Sequence, residues 1–261
     1  MIDIAREVAR VRYPVLAAST VAWTVLAAGL SGSHLNANFL CTENGTASAP
    51  ASLAILLALN PPSAIAAAWA LMLVAMMSPL LVPAIHHVRF TSFTHRRTRS
   101  IALFLAGYGA VWMTCGALLT GIKFAALALA PQSYIPAAAA ALVALVWQAS
   151  PFKQRCLNGC HDNRPLAAFG LEADLDTLRF GLTHGLWCVA ACGALMLFAI
   201  LLPQGHWAAM AAVAILMFCE RLEDPEPPRW KMRGLRRAFL TLAAWTRIRL
   251  RMLLSKVPAS A

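Results

Sequence analysis

Cys156 and Cys160 lie four residues apart in SPFKQRCLNGCHDN, residues 150–163, where cysteine, histidine and charge gather in an otherwise apolar chain. On a helix that spacing puts both thiols on one face, one turn apart. A pair alone is a weak metal signal, because zinc patterns require a second group of ligands. The second group stands in FGLTHGLWCVAACGALM, where His184, Cys188 and Cys192 recur every four residues along one stripe. Thiolate-rich sets of this kind favour zinc, Cu(I) or iron-sulfur chemistry over magnesium or calcium. Zinc would take three cysteines and a histidine tetrahedrally, whereas Cu(I) would use fewer thiolates at a time and accept thioethers. Cys156, Cys160, His184 and Cys188 form the expected shell, with Cys192 next in line. At about 1.5 Å of rise per residue, Cys192 sits about 20 Å along its helix from Arg179.

Other residues are candidates for supporting roles. His161 and Asp162 follow the second cysteine, and a carboxylate there could orient a ligating imidazole. Met76, Met77 and Met196 could extend a Cu(I) route, although methionine is also an ordinary filler of apolar gaps. Glu220, if it faces the helices, is a candidate proton or cation group. His86, His87 and His95 read as a solvated basic patch. CLNGC lacks the two-residue spacing of thioredoxin-like dithiols, which makes metal binding the stronger reading.

The elements that must position these residues are helices. The chain is 60% hydrophobic and 13% charged over 261 residues, too few charges to clothe a soluble domain of that size. Apolar runs at 13–30, 63–86, 101–122, 135–150, 179–203 and 206–220 predict an all-α, polytopic membrane bundle of about six helices. Residues 135–150 and 206–220 are short, and 49–60, ending at Asn60-Pro61-Pro62, reads as re-entrant or interfacial. The basic residues fall almost entirely on one side of this layout, so both termini and the cysteine segment are expected in the cytoplasm. The localisation that follows is a bacterial cytoplasmic (inner) membrane, crossed several times.

Residues 1–222 would form the transmembrane domain, with a cytoplasmic cysteine loop near 151–178. Residues 223–261 would form a basic amphipathic tail lying on anionic lipid. The net charge of +11 is parcelled between apolar runs and carries no nucleic-acid motif. On the opposite side, His34 and Cys41 lie in a polar loop and read as solvated.

The chain resembles a bacterial family of predicted metal-binding integral membrane proteins of uncharacterised function. The resemblance runs over about residues 65–222 and rests on Met76-Met77-Ser78-Pro79, Gly107-Tyr108 with Trp112, and Trp147-Gln148 followed by Pro151, Lys153, Cys156, Leu157 and Cys160. It continues through Gly181, His184-Gly185, Cys188, Cys192, Leu195-Met196 and Glu220. Two positions depart from the pattern: His161 stands where the family often has a basic residue, and Ala191 precedes Cys192 where adjacent cysteines are usual.

These observations favour a membrane protein that binds copper or zinc and moves the ion or delivers it to another membrane protein. Two alternatives are a structural or accessory subunit of a membrane complex and a membrane thiol oxidoreductase. No nucleophile and base pair or phosphate-binding loop suggests an enzyme. Membrane lipid and a metal-delivery partner are the expected contacts.

Overall fold

The computed structural model describes residues 2–29, 61–130, 133–234 and isolated positions between 240 and 247. Seven α-helices and no strands occur among the described residues. They are α1 (Ile2–Gly29), α2 (Pro62–Thr91), α3 (Arg97–Leu129), α4 (Ile135–Ala149), α5 (Pro151–Gly159), α6 (Gly170–Leu201) and α7 (His206–Arg221). The predicted segment 49–60, the loop bearing His34 and Cys41, and the tail beyond Gly234, apart from those isolated positions, lie outside the described residues.

The apolar runs predict the helices but understate their length. Helix α2 continues to Thr91, α3 begins at Arg97, and α6 begins at Gly170. Hydropathy registers only the apolar middle of a helix, whereas backbone hydrogen bonding continues into the polar turns at either end. The same effect corrects the expected loop at 151–178. Its first nine residues are α5 and its last nine belong to α6, leaving only Cys160–Phe169 without helix.

Four helices, α1, α2, α3 and α6, are individually long and apolar enough to cross a membrane. Helices α4 and α5 are bent by 71° at Ser150, and the pair taken together would make a fifth. At 16 residues, α7 falls short of the usual requirement of about 20.

Helix α6 is the centre of the bundle. It packs most extensively on α3 and also touches α4, α5 and α7, while α1 lies on α2. The α3–α6 approach depends on glycine in both partners. A Cβ on Gly107 would lie 2.7 Å from the Leu178 carbonyl oxygen, and one on Gly181 would overlap the Phe104 carbonyl oxygen. Small residues at such a crossing let two backbones meet directly. Gly181→Ala should therefore push the two helices apart and lower stability by about 1–3 kcal/mol. Thermal unfolding in detergent checks this, and an unchanged midpoint would contradict it.

Polar links fix the rest. Pro79 has no N–H to donate to the Ala75 carbonyl one turn earlier. The buried Ser19 hydroxyl of α1 donates to that oxygen instead, at 2.6 Å. The Trp69 indole donates to the Trp112 carbonyl oxygen (3.0 Å) and Trp147 to that of Ala190 (2.8 Å), tying α2 to α3 and α4 to α6. At one end of the bundle Arg89 pairs with Glu7 at 2.9 Å, and Arg96 and Arg99 each reach Asp174 at 2.6 Å.

The chain after α7 folds back over α5. Gln154 donates to the Lys231 carbonyl oxygen (2.7 Å) and accepts from the Arg229 N–H (2.9 Å), while Asn158 donates to the Glu226 carbonyl oxygen (2.8 Å). Arg233, expected to anchor the tail on lipid, is buried, reaching Asn158, Glu223 and the Asp224 carbonyl oxygen. Its guanidinium meets protein acceptors that the sequence alone does not place beside it.

Candidate metal centre

Helices α5 and α6 bring the two cysteine groups together. Gly159 of CLNGC packs flat on Trp187, where an added Cβ would lie 2.7 Å from the indole Cδ2. That contact seats the end of α5 one residue away from Cys188 along the chain. Cys156, Cys160, Cys188 and Cys192 are all buried and unbridged. Cys160 lies within electrostatic range of both Cys156 and Cys188. Burial pushes its thiol up to about 12, against the opposing pull of the Arg221 guanidinium. A metal binding there must therefore displace a proton.

On α6, Cys188 and Cys192 contact one another through their side chains, as the four-residue spacing predicts. The Tyr108 hydroxyl of α3 hydrogen-bonds the Cys188 sulfur at 3.3 Å. His184, one turn before Cys188, is buried among aromatic rings. Its ring centroid lies 5.9 Å from Phe104, 6.1 Å from Tyr108 and 5.8 Å from Phe180. Neither imidazole nitrogen has a hydrogen-bond partner. A buried polar group without a partner costs on the order of 1–3 kcal/mol, and an imidazole left open beside thiols is suited to a soft cation.

The expected residues thus gather in one neighbourhood but do not close a tetrahedral shell. Among the described residues, no three histidine, cysteine, aspartate or glutamate side chains stand close enough to hold one ion together. What the arrangement supplies is two-sulfur contact at Cys188, with an open imidazole nearby.

The supporting residues separate. His161 is half-buried beside Arg221 and Arg233, and burial together with those charges holds its imidazole below the ordinary range. Asp162 turns away to Arg164 at 3.3 Å, so it does not orient His161. Met76, Met77 and Met196 are buried in the same apolar core as Cys188 and Cys192. His86 and His87 near the end of α2 and His95 after it do not converge. His86 stacks on Phe90, His87 donates to the Arg164 carbonyl oxygen at 2.8 Å, and His95 stacks on Phe93.

Glu220 does face the bundle, at 1% exposure, where Lys153 pairs with it at 2.5 Å and Gln148 donates to the same oxygen. Lys153 was expected among the basic residues at the cytoplasmic face. Its 1% exposure removes it from that count, because its charge is neutralised inside the protein.

Sequence reasoning did not assign Tyr108, Phe104, Phe180 or Arg221 a place at the centre. The guanidinium of Arg221 lies within electrostatic range of Cys160, Cys188, Cys192 and Tyr108. The only signal in the sequence was its position directly after Cys219-Glu220 at a helix end.

A family model described as PpoB2, copper chaperone, matches residues 66–246. The chain belongs to the PpoB2 copper chaperone family. The match covers more than half of the chain and every candidate ligand on α5 and α6. It takes in nearly all of the stretch that carries the resemblance read from the sequence. No curated protein and no solved structure is significantly similar to the chain. Membership of a copper chaperone family supports copper handling and gives no support to zinc.

Proposed function

We propose that this protein is a membrane-embedded copper carrier that holds Cu(I) at Cys188 and a neighbouring sulfur and passes it to a partner protein. The unpartnered His184 imidazole, one turn from Cys188 inside a ring of aromatic side chains, carries this reading. Cys192 on the same helix and Cys160 across the α5–α6 contact are the neighbouring sulfurs. Cys156 stands behind them as an outer thiol. Soft, two-sulfur coordination suits Cu(I), whereas structural zinc needs four ligands.

Exchange between neighbouring thiols also suits a carrier. A cage with all positions filled releases its ion slowly, while successive two-sulfur sites let an incoming thiol displace an outgoing one. The membrane part of the proposal is supported by the four long apolar helices and the bent α4–α5 pair. Arg89, Arg96 and Arg99 share one end of the bundle, where His87 also holds the Arg164 carbonyl oxygen, which supports a cytoplasmic face of a bacterial inner membrane there.

The test is copper retention by the protein purified anaerobically in detergent and loaded with Cu(I). The parent and Cys41→Ser should retain near-stoichiometric copper. His184→Ala and the Cys156→Ser/Cys160→Ser variant should bind roughly ten- to a hundredfold more weakly, the range seen when groups supporting a metal are removed. A parent that takes up no Cu(I) under reducing conditions, or variants that all match it, would sink the proposal.

A further inference from the structure

Arg221 closes α7 with its guanidinium turned toward sulfur. Its Nε and Nη2 atoms are buried, and neither meets an acceptor at hydrogen-bonding distance. The groups in electrostatic range of it include the Cys160, Cys188 and Cys192 thiols, the Tyr108 hydroxyl and the His184 imidazole. Glu220, its neighbour in sequence, also lies in electrostatic range, but its carboxylate is already paired with Lys153 and bonded by Gln148. A permanent cation is thus held against a group of cysteine side chains.

The charge balance of a bound ion explains such an arrangement. Two thiolates around Cu(I) carry a net charge of −1, and an isolated charge in a buried site is costly. A neighbouring guanidinium makes the assembly neutral. With a divalent ion the two thiolates are already neutral, and the arginine becomes the unbalanced charge. Arginine suits this role because it stays protonated in any surroundings a protein provides.

Building on the copper reading above, we propose that Arg221 is the fixed counter-charge of the site, a positioning residue that selects a monovalent ion held by two thiolates over a divalent one. Arg221 ends α7, a different helix from the one that carries Cys188 and Cys192, so replacing it leaves the spacing of those two thiols unchanged.

The experiment compares Cu(I) with Hg(II), which shares the preference for two thiolates and differs in charge. Both affinities are measured by competition on the detergent-purified full chain, in the parent, Arg221→Met, Arg221→Lys and Cys188→Ser. Arg221→Met should weaken Cu(I) binding at least about tenfold, equivalent to about 1.4 kcal/mol, with Hg(II) binding unchanged or stronger. Arg221→Lys keeps the charge and should stay within about threefold of the parent for Cu(I).

Parallel changes in both ions for Arg221→Met, or none in either, overturn the counter-charge. A tenfold Cu(I) loss in Arg221→Lys overturns it as well, and this arm stands even if Arg221→Met does not fold. Undiminished Cu(I) binding in Cys188→Ser overturns the copper site itself, separately from the role of Arg221.

Discussion

Replacing Cys188 and Cys192 together by serine is expected to lower Cu(I) affinity at least about a hundredfold, equivalent to roughly 2.7 kcal/mol. Cys188 is where the geometry concentrates. It contacts Cys192, bonds Tyr108 at 3.3 Å, and lies within electrostatic range of Cys160 and Arg221. Serine nearly preserves the volume, and its hydroxyl can keep the hydrogen bond to Tyr108, so the fold should survive. What is lost is the polarisable thiolate that a soft cation requires. The measurement is competition against a Cu(I) chelator, with the circular dichroism of the variant checked against the parent. A folded double variant with parental affinity would remove α6 from the site.

Lys153→Met is expected to be the most destabilising single change, at roughly 3–5 kcal/mol, the range for breaking a buried ion pair. Both partners are 1% exposed, and their separation is 2.5 Å. Removing the lysine leaves Glu220 buried with only Gln148 to hold part of its charge. The pair joins α5 to α7, so its loss should also loosen the seat of Cys160. Heat unfolding in detergent should show a fall of roughly 10 °C. Adding Glu220→Gln should recover much of the loss, because no uncompensated charge then remains. If the double variant is no more stable than the single one, the pair is not what holds the two helices.

Gly234 shows how closely the returning segment is fitted to that pair. Its φ is +107°, a region that disfavours residues with a side chain, and an added Cβ would lie 2.7 Å from Glu220 Cγ. The segment after α7 therefore lies against the buried charges. By composition alone this stretch reads as the start of a lipid-bound tail, because its basic residues carry no sign of the acceptors on α5.

The helices and the stripe of His184, Cys188 and Cys192 were legible for physical reasons. A long apolar run must satisfy its own backbone as a helix wherever water is excluded, which located α2, α3, α4 and α6 to within a few turns. A four-residue spacing on a helix fixes a shared face before any tertiary contact exists. His184, Cys188 and Cys192 were therefore one stripe by sequence alone, and Cys156 and Cys160 another. Membership of the copper chaperone family then favours copper over the zinc that the same ligand types allowed.

The opposite holds for residues whose meaning depends on a partner far along the chain. Tyr108 reaches Cys188 across 80 residues and Lys153 reaches Glu220 across 67. Charge alone cannot tell a surface lysine from one neutralised in the core, nor an arginine at a helix end from one held against thiols. Composition and spacing determined that this chain is a set of apolar helices carrying candidate soft ligands on defined faces. Only the packing of α3, α5 and α7 around α6 decided which charges those ligands meet, because that depends on contacts between segments whose distance in sequence says nothing about their distance in space.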